Sequence, residues 1–140
     1  VNDVEAAARR FIADVWNGRR EESAHELVAA ECPGLGGTGP EAVLAWHRER
    51  RAAFPDLRYK IVDVVASEER VAVHWRAAGT QAGAFGPVPP TGQVVSFSGA
   101  SFLRFDPAGR IADVWHCTEL FQLLQQLGVE VLPPVTGAGA

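Results

Sequence analysis

The hydrophobic period of this chain switches from helical to extended at Leu57, and that switch limits the folds open to it. Before it, Val4, Ala7, Ala8, Phe11, Ile12, Val15 and Trp16 form one unbroken stripe, the pattern of a helix that buries one face. Asn2 or Asp3 can cap its start, and Asn17-Gly18 ends it. A second, short helix is predicted from Glu21 to about Ala29, with His25 at the surface. The nine residues from Glu31 to Gly39 hold five glycines and prolines, so a mobile surface loop is expected there. Pro40, at a first helical position, opens a third helix that runs to Phe54 and stops at Pro55-Asp56.

From Leu57 the period is two. LRYKIVDVVA and RVAVHWRAAG, separated by Ser67-Glu68-Glu69, read as a hairpin. Val71, Val73, Trp75 and Ala77 share one face of its second strand, and His74 lies opposite. The Gly/Pro-rich stretch from Gly83 to Gly92 is a loop suited to lie over the mouth of a cavity. Alternation resumes from Gln93 to Phe105, with Val95, Phe97, Gly99, Ser101, Leu103 and Phe105 together. Gly99 and Ser101 leave room among aromatics, as a pocket wall requires. The stretch GRIADVWHCTELFQLLQQLG is a last strand running into an amphipathic helix, and it sets Asp113 and His116 on opposite strand faces.

Three helices, a run of antiparallel strands and a short final helix make an α+β domain. The expected shape is a cone, a curved antiparallel sheet wrapped around the three N-terminal helices with one open-ended cavity. The domain is expected to span residues 1–132, with a flexible tail at 133–140. A hydrophobic content of 47% with 21% charge is that of a globular chain and not of a disordered one. A net charge of −4 without a dense Lys/Arg stripe argues against nucleic acid as a partner. No apolar run approaches the roughly 20 residues of a membrane span and no signal-peptide plan is present, so cytoplasmic residence is expected. Cys32 and Cys117 have no metal-ligand or disulfide spacing and read as small buried hydrophobes.

His47 and Arg50 lie on the same side of the third helix as Val43 and Trp46, an unusual place for polar groups. Two readings stand: heads turned to solvent at the stripe's edge, or polar groups at the rim of an internal cavity.

The blocks AAFPDLRYKIVDVVASEERVAVHWRAAGT, GPVPPTGQVVSFSG and GRIADVWHCTELFQLLQQLG, in this order, resemble the SnoaL-like polyketide cyclase family of the nuclear-transport-factor-2-like superfamily. The resemblance covers residues 4 to 128. It implies ring closure by an intramolecular aldol reaction with no metal or cofactor. In such cyclases an aspartate on the last strand takes a proton from between two carbonyls, helped by a histidine and a glutamine on the preceding strand. Those places fall on His116, Ser101 and Gly99, so none of the three groups is retained. The related ester cyclases often carry a second acid where Glu119 stands. The match also turns Ala112, Val114, His116 and Thr118 toward the cavity, and Asp113 and Trp115 away from it.

A histidine at the aspartate's place can still move a proton, because its ordinary pKa of about 6.5 is close to working pH. His116 and His47 are therefore the candidate catalytic groups. Trp46, Arg50, Trp75, Phe97, Ser101, Val114 and Glu119 are the candidate substrate contacts, and no metal site is expected. The expected ligand is a small, mainly apolar, oxygenated molecule of polyketide type. A homodimer is expected through the outer sheet face, where Phe102 and Trp115 would otherwise be exposed. The activity expected is a cofactor-independent cyclase of secondary metabolism. A non-catalytic binding module and a sibling activity (pyran-forming cyclase, hydroxylase, isomerase or dehydratase) remain as alternatives.

Overall fold

The computed structural model describes residues 3–130; Asn2, residues 131–132 and the tail expected at 133–140 lie outside them. Helix α1 (Asp3–Phe11) carries the start of the predicted stripe. The chain then widens into one π-helical turn, Ile12–Trp16, closed by the Asn17 N–H on the Ile12 carbonyl at 2.9 Å. The wider turn buries Ile12, Asp14, Val15 and Trp16 together. Asp14 is held at this depth by the Ser23 hydroxyl, which donates to it at 2.7 Å. A 3₁₀ turn (Glu21–Ser23) leads into α2 (Ala24–Leu27), in place of one continuous helix to Ala29.

The segment expected to be a loop contains a small hairpin, β1 (Pro33–Gly34) and β2 (Gly37–Thr38), paired antiparallel. It packs on α3 (Pro40–Ala53) so closely that a Cβ on Gly34 would lie 2.3 Å from the Ala42 backbone. Glycine here is what lets two backbones touch. Arg51, on the last turns of α3, donates to the Val15 and Trp16 carbonyls at 3.1 and 2.9 Å, satisfying acceptors that a helix end leaves free.

The strands β3 (Arg58–Ser67), β4 (Arg70–Thr80), β5 (Val94–Phe105) and β6 (Ile111–Thr118) form one antiparallel sheet in chain order. Each joins its neighbour directly, so the sheet is a simple meander. Val71, Val73, Trp75 and Ala77 of β4, with Val95, Phe97, Ser101, Leu103 and Phe105 of β5, are buried against the helices. Two irregularities adjust the alternation. The register shifts at Val62 in β3 and at Ala112 in β6, where one strand carries an extra residue. The first turns Val64 and Ala66 inward after Tyr59 and Ile61; the second lets both Ile111 and Ala112 be buried.

Helix α4 (Leu120–Gln126) closes one end of the sheet. Beyond Gly99, β5 has no β6 partner, and the Gln126 side chain takes that place. Its amide accepts from the Ser96 N–H at 2.8 Å and donates to the Ser96 carbonyl at 2.7 Å, completing the backbone bonds of an edge. The Gly/Pro-rich loop between β4 and β5 is tied down by Gln81, which is fully buried. Its amide donates to the Val88 and Pro89 carbonyls and accepts from the Thr91 N–H and hydroxyl.

Candidate active site

A cavity of about 320 Å³ lies between the sheet's concave face, the π-helical turn, α3 and α4. That is near the lower end of small-molecule sites, which run from about 300 to 1,000 Å³. Its walls are aromatic and aliphatic: Trp16, Trp46, Phe54, Tyr59, Trp75 and Phe97 contribute, and Phe85 from the tied loop and Leu120 and Leu123 from α4 complete them. The polar side chains lining it are few: His47, His116, Arg50, Thr118 and Tyr59.

His116 enters from β6 on the concave face, paired across from Ser101. Asp113 and Trp115 are exposed on the other face, as the resemblance implied; Cys117 shares that face and is exposed too, not buried as Cys32 is. Ser101 Oγ lies 2.6 Å from His116 Nδ1, and the Trp75 indole donates to the same oxygen at 2.9 Å. The indole N–H can only donate, so Ser101 Oγ accepts from it, and the hydroxyl's own proton is available to His116 Nδ1. When the hydroxyl donates to Nδ1, the imidazole proton lies on Nε2. Gly99 makes the chain possible, because a Cβ there would lie 2.4 Å from the Trp75 ring. The room expected beside Gly99 and Ser101 is therefore filled by Trp75 itself. Ser101 is fully buried beneath His116 and is no part of the wall.

The two imidazoles stand with their ring centres 6.5 Å apart at nearly a right angle. Trp46 stacks on His116 at 4.9 Å and 11°, and meets His47 edge-on at 4.8 Å. Trp16 stacks on His47 at 5.7 Å and meets His116 at 5.3 Å. His47 is 3% exposed, which excludes a head turned to solvent. Its Nδ1 is sealed and has no hydrogen-bond partner, and neither has the Trp16 indole N–H. Burial, and then the Arg50 charge, push the His116 pKa down to about 4. Burial holds His47 well below its ordinary value, with smaller contributions from His116, Arg51 and Arg50. Both rings are neutral at neutral pH. Burial also lifts the Tyr59 phenol to about 12, so it stays protonated.

Of the residues singled out from sequence, His116, His47, Trp46, Arg50, Trp75 and Phe97 meet at this cavity. Val114 lines a separate pocket of about 160 Å³ on the far side of the His47, Trp46 and His116 rings. Two residues up the strand from His116, it lies beyond that partition. Glu119 is exposed and its carboxylate accepts from the Ser98 hydroxyl at 3.0 Å, outside the cavity wall, because the chain leaves the sheet there to start α4. Trp16 and Tyr59 were not among the candidates. Trp16 belongs to a stripe that also reads as plain core, and Tyr59 carries no spacing signal. Among the described residues no group of three or more His, Cys, Asp or Glu side chains is arranged to hold a metal ion. No helix among them is long and apolar enough to cross a membrane.

The fold and the cavity define a class, α+β domains with a pocket between a curved sheet and its helices. Within it, the chain belongs to the SnoaL-like polyketide cyclase family, whose profile matches residues 6–127. Solved structures agree. IdmH from Streptomyces antibioticus superposes with a TM-score of 0.75 at 26% identity, over 91% of this chain and 100% of that one. AclR from Streptomyces galilaeus gives 0.75 at 26% identity, over 94% and 85%. A SnoaL-like polyketide cyclase from Agrobacterium tumefaciens, at 20% identity, shares the fold with a TM-score of 0.79 over 91% and 100%. No curated protein matches the chain.

Proposed function

We propose that this protein is a cofactor-independent cyclase of secondary metabolism that folds a polyketide-like chain in the cavity and closes a ring by proton transfer. The observation that carries this reading is His116, neutral and oriented by Ser101 and Trp75 in an enclosed apolar site. With its proton on Nε2, His116 offers an N–H to a substrate carbonyl. The enolate formed when the adjacent carbon loses its proton is stabilised by that bond. His47 is the second imidazole and takes the proton. The enolate carbon then attacks a second carbonyl of the chain to form the ring's C–C bond, and the proton returns from His47 to the resulting alkoxide, so the two rings divide acid and base roles. The aromatic walls hold the chain bent and dry, which supplies proximity. IdmH, described as a candidate polyketide cyclase, supports the class of reaction. AclR, described as a candidate hydroxylase, shows that relatives on this fold are assigned other chemistry.

Linear poly-β-ketone esters incubated with the protein, without added cofactor, test this by mass spectrometry. A ring-closed isomer, or that isomer less one water, appearing faster than in buffer is the expected result. Starting material recovered unchanged contradicts it and favours the second reading, a binding module. That reading draws on one observation: the places of the family's Asp, His and Gln are occupied by His116, Ser101 and Gly99, and Trp75 covers the last.

The assembly proposed is a homodimer through the convex face. Phe102 and Trp115 pack there with ring centres 5.5 Å apart, and they are 52% and 55% exposed, beside Val65 at 63%. Sedimentation of a monomer at micromolar concentration would contradict it.

A further inference from the structure

Arg50 is the only formally charged side chain lining the cavity among the described residues, and no carboxylate lines it. Its guanidinium sits 4.2 Å over the Trp46 ring and forms no ion pair with any described residue, whereas Arg48 and Arg51 on the same helix both pair with Glu21. Glu49, its neighbour in sequence, borders the outer groove and not the cavity. Arg50 also borders that groove, of about 390 Å³, together with Phe85 and Leu120, so it stands where the cavity opens outward. Both imidazoles being neutral, the site carries one uncompensated positive charge beside an apolar interior.

A guanidinium beside an apolar cavity, with no anion for a partner, is available to a ligand that supplies one. The guanidinium lies over the Trp46 face and makes no ion pair with a described residue, so its N–H fork is free to take a carboxylate through two parallel bonds. We infer that the cavity takes an acidic substrate, a planar or bent apolar body carrying a carboxylate, with the carboxylate held by Arg50 at the mouth and the body turned inward toward His116. The inference rests on the cavity being the substrate site and names the class of molecule it accepts. Such a substrate is oriented by one charged contact at its end, so the same carbon is presented to the two histidines each time.

The test is binding, not turnover. Three of the four tryptophans, Trp16, Trp46 and Trp75, line the cavity, so the indole N–H signals of protein labelled with nitrogen-15 report on occupancy. Titration with 2-naphthoate and with its neutral isostere 2-naphthamide at about pH 7.5, where the acid is ionised, compares charge at constant shape. The carboxylate is expected to bind about tenfold or more tightly than the amide. Arg50→Met should remove that preference, and Arg50→Lys should keep part of it. Equal affinities in the unsubstituted protein would overturn the inference without any variant. So would a preference that survives Arg50→Met, or indole signals unmoved by either compound at about 2 mM. If naphthoate binds as expected and no ring closure is ever catalysed, the cyclase reading fails and the acid site stands. If ring closure occurs while acids gain nothing from their charge, this inference alone fails.

Discussion

At the scale of single residues, His116 differs from the family's aspartate in where its proton rests. A carboxylate with a basic neighbour is an acceptor, whereas in the proposed mechanism His116, with the Ser101 hydroxyl donating to Nδ1, presents a donor to the cavity. In that mechanism Ser101 is a positioning residue, and Trp75 acts through it. Replacing Ser101 by Ala removes the partner that selects the tautomer and leaves the indole N–H buried and unpaired. Nitrogen-15 spectra of labelled histidine should show the Nε2–H form of His116 in the unsubstituted protein and a mixture in Ser101→Ala. Ring closure should fall about tenfold or more, with substrate affinity nearly unchanged. An unchanged tautomer in the variant would remove Ser101 from the scheme.

At the scale of elements, the site depends on pieces that are not catalytic. Gln81 makes four hydrogen bonds from a fully buried amide and fixes the loop that supplies Phe85 to the cavity wall. Gln81→Ala leaves two carbonyls, an N–H and a hydroxyl without that partner. Chemical denaturation should show a loss of about 2–4 kcal/mol, and hydrogen exchange should quicken from Ala82 to Thr91. The main elements were legible in sequence, because stripes of period 3.6 before Leu57 and period 2 after it can each be buried in one way only. The bulges at Val62 and Ala112 were not, since an extra residue in an apolar strand leaves the composition of the pattern intact. The small hairpin over Pro33 to Thr38 was hidden for a different reason: strands made mostly of Gly and Pro have no side-chain alternation to read.

The site was legible in part for the same physical reasons. His47 stood out as a polar residue on an apolar helix side, and burial explains why. The Trp75 to Ser101 contact could not be foreseen, because a glycine and a serine facing aromatics look like empty room until the indole that fills it is placed.

At the scale of the whole molecule, neutral buried histidines couple folding to pH. The folded pKa of His116, about 4, lies below its unfolded value of about 6.5. Between those values the unfolded chain binds more protons than the folded one, so acidification favours unfolding. The stability His116 retains above about pH 6.5 is lost as pH falls toward 4, with about 2 kcal/mol gone by pH 5. His47 is shifted in the same direction and adds to the loss. Urea midpoints should therefore drop between pH 7 and pH 5, a range in which ordinary carboxylates remain ionised, and His116→Gln should flatten the drop. A midpoint independent of pH over that range would mean that His116 is not held neutral by burial.

The most direct measurement is turnover by His116→Ala against the unsubstituted protein on one identified ring-closing substrate, with affinity measured alongside. If His116 supplies the bond that stabilises the enolate, kcat falls about a hundredfold or more while binding, held by Arg50 and the aromatic walls, changes little. Undiminished kcat in His116→Ala would show that the proton moves elsewhere.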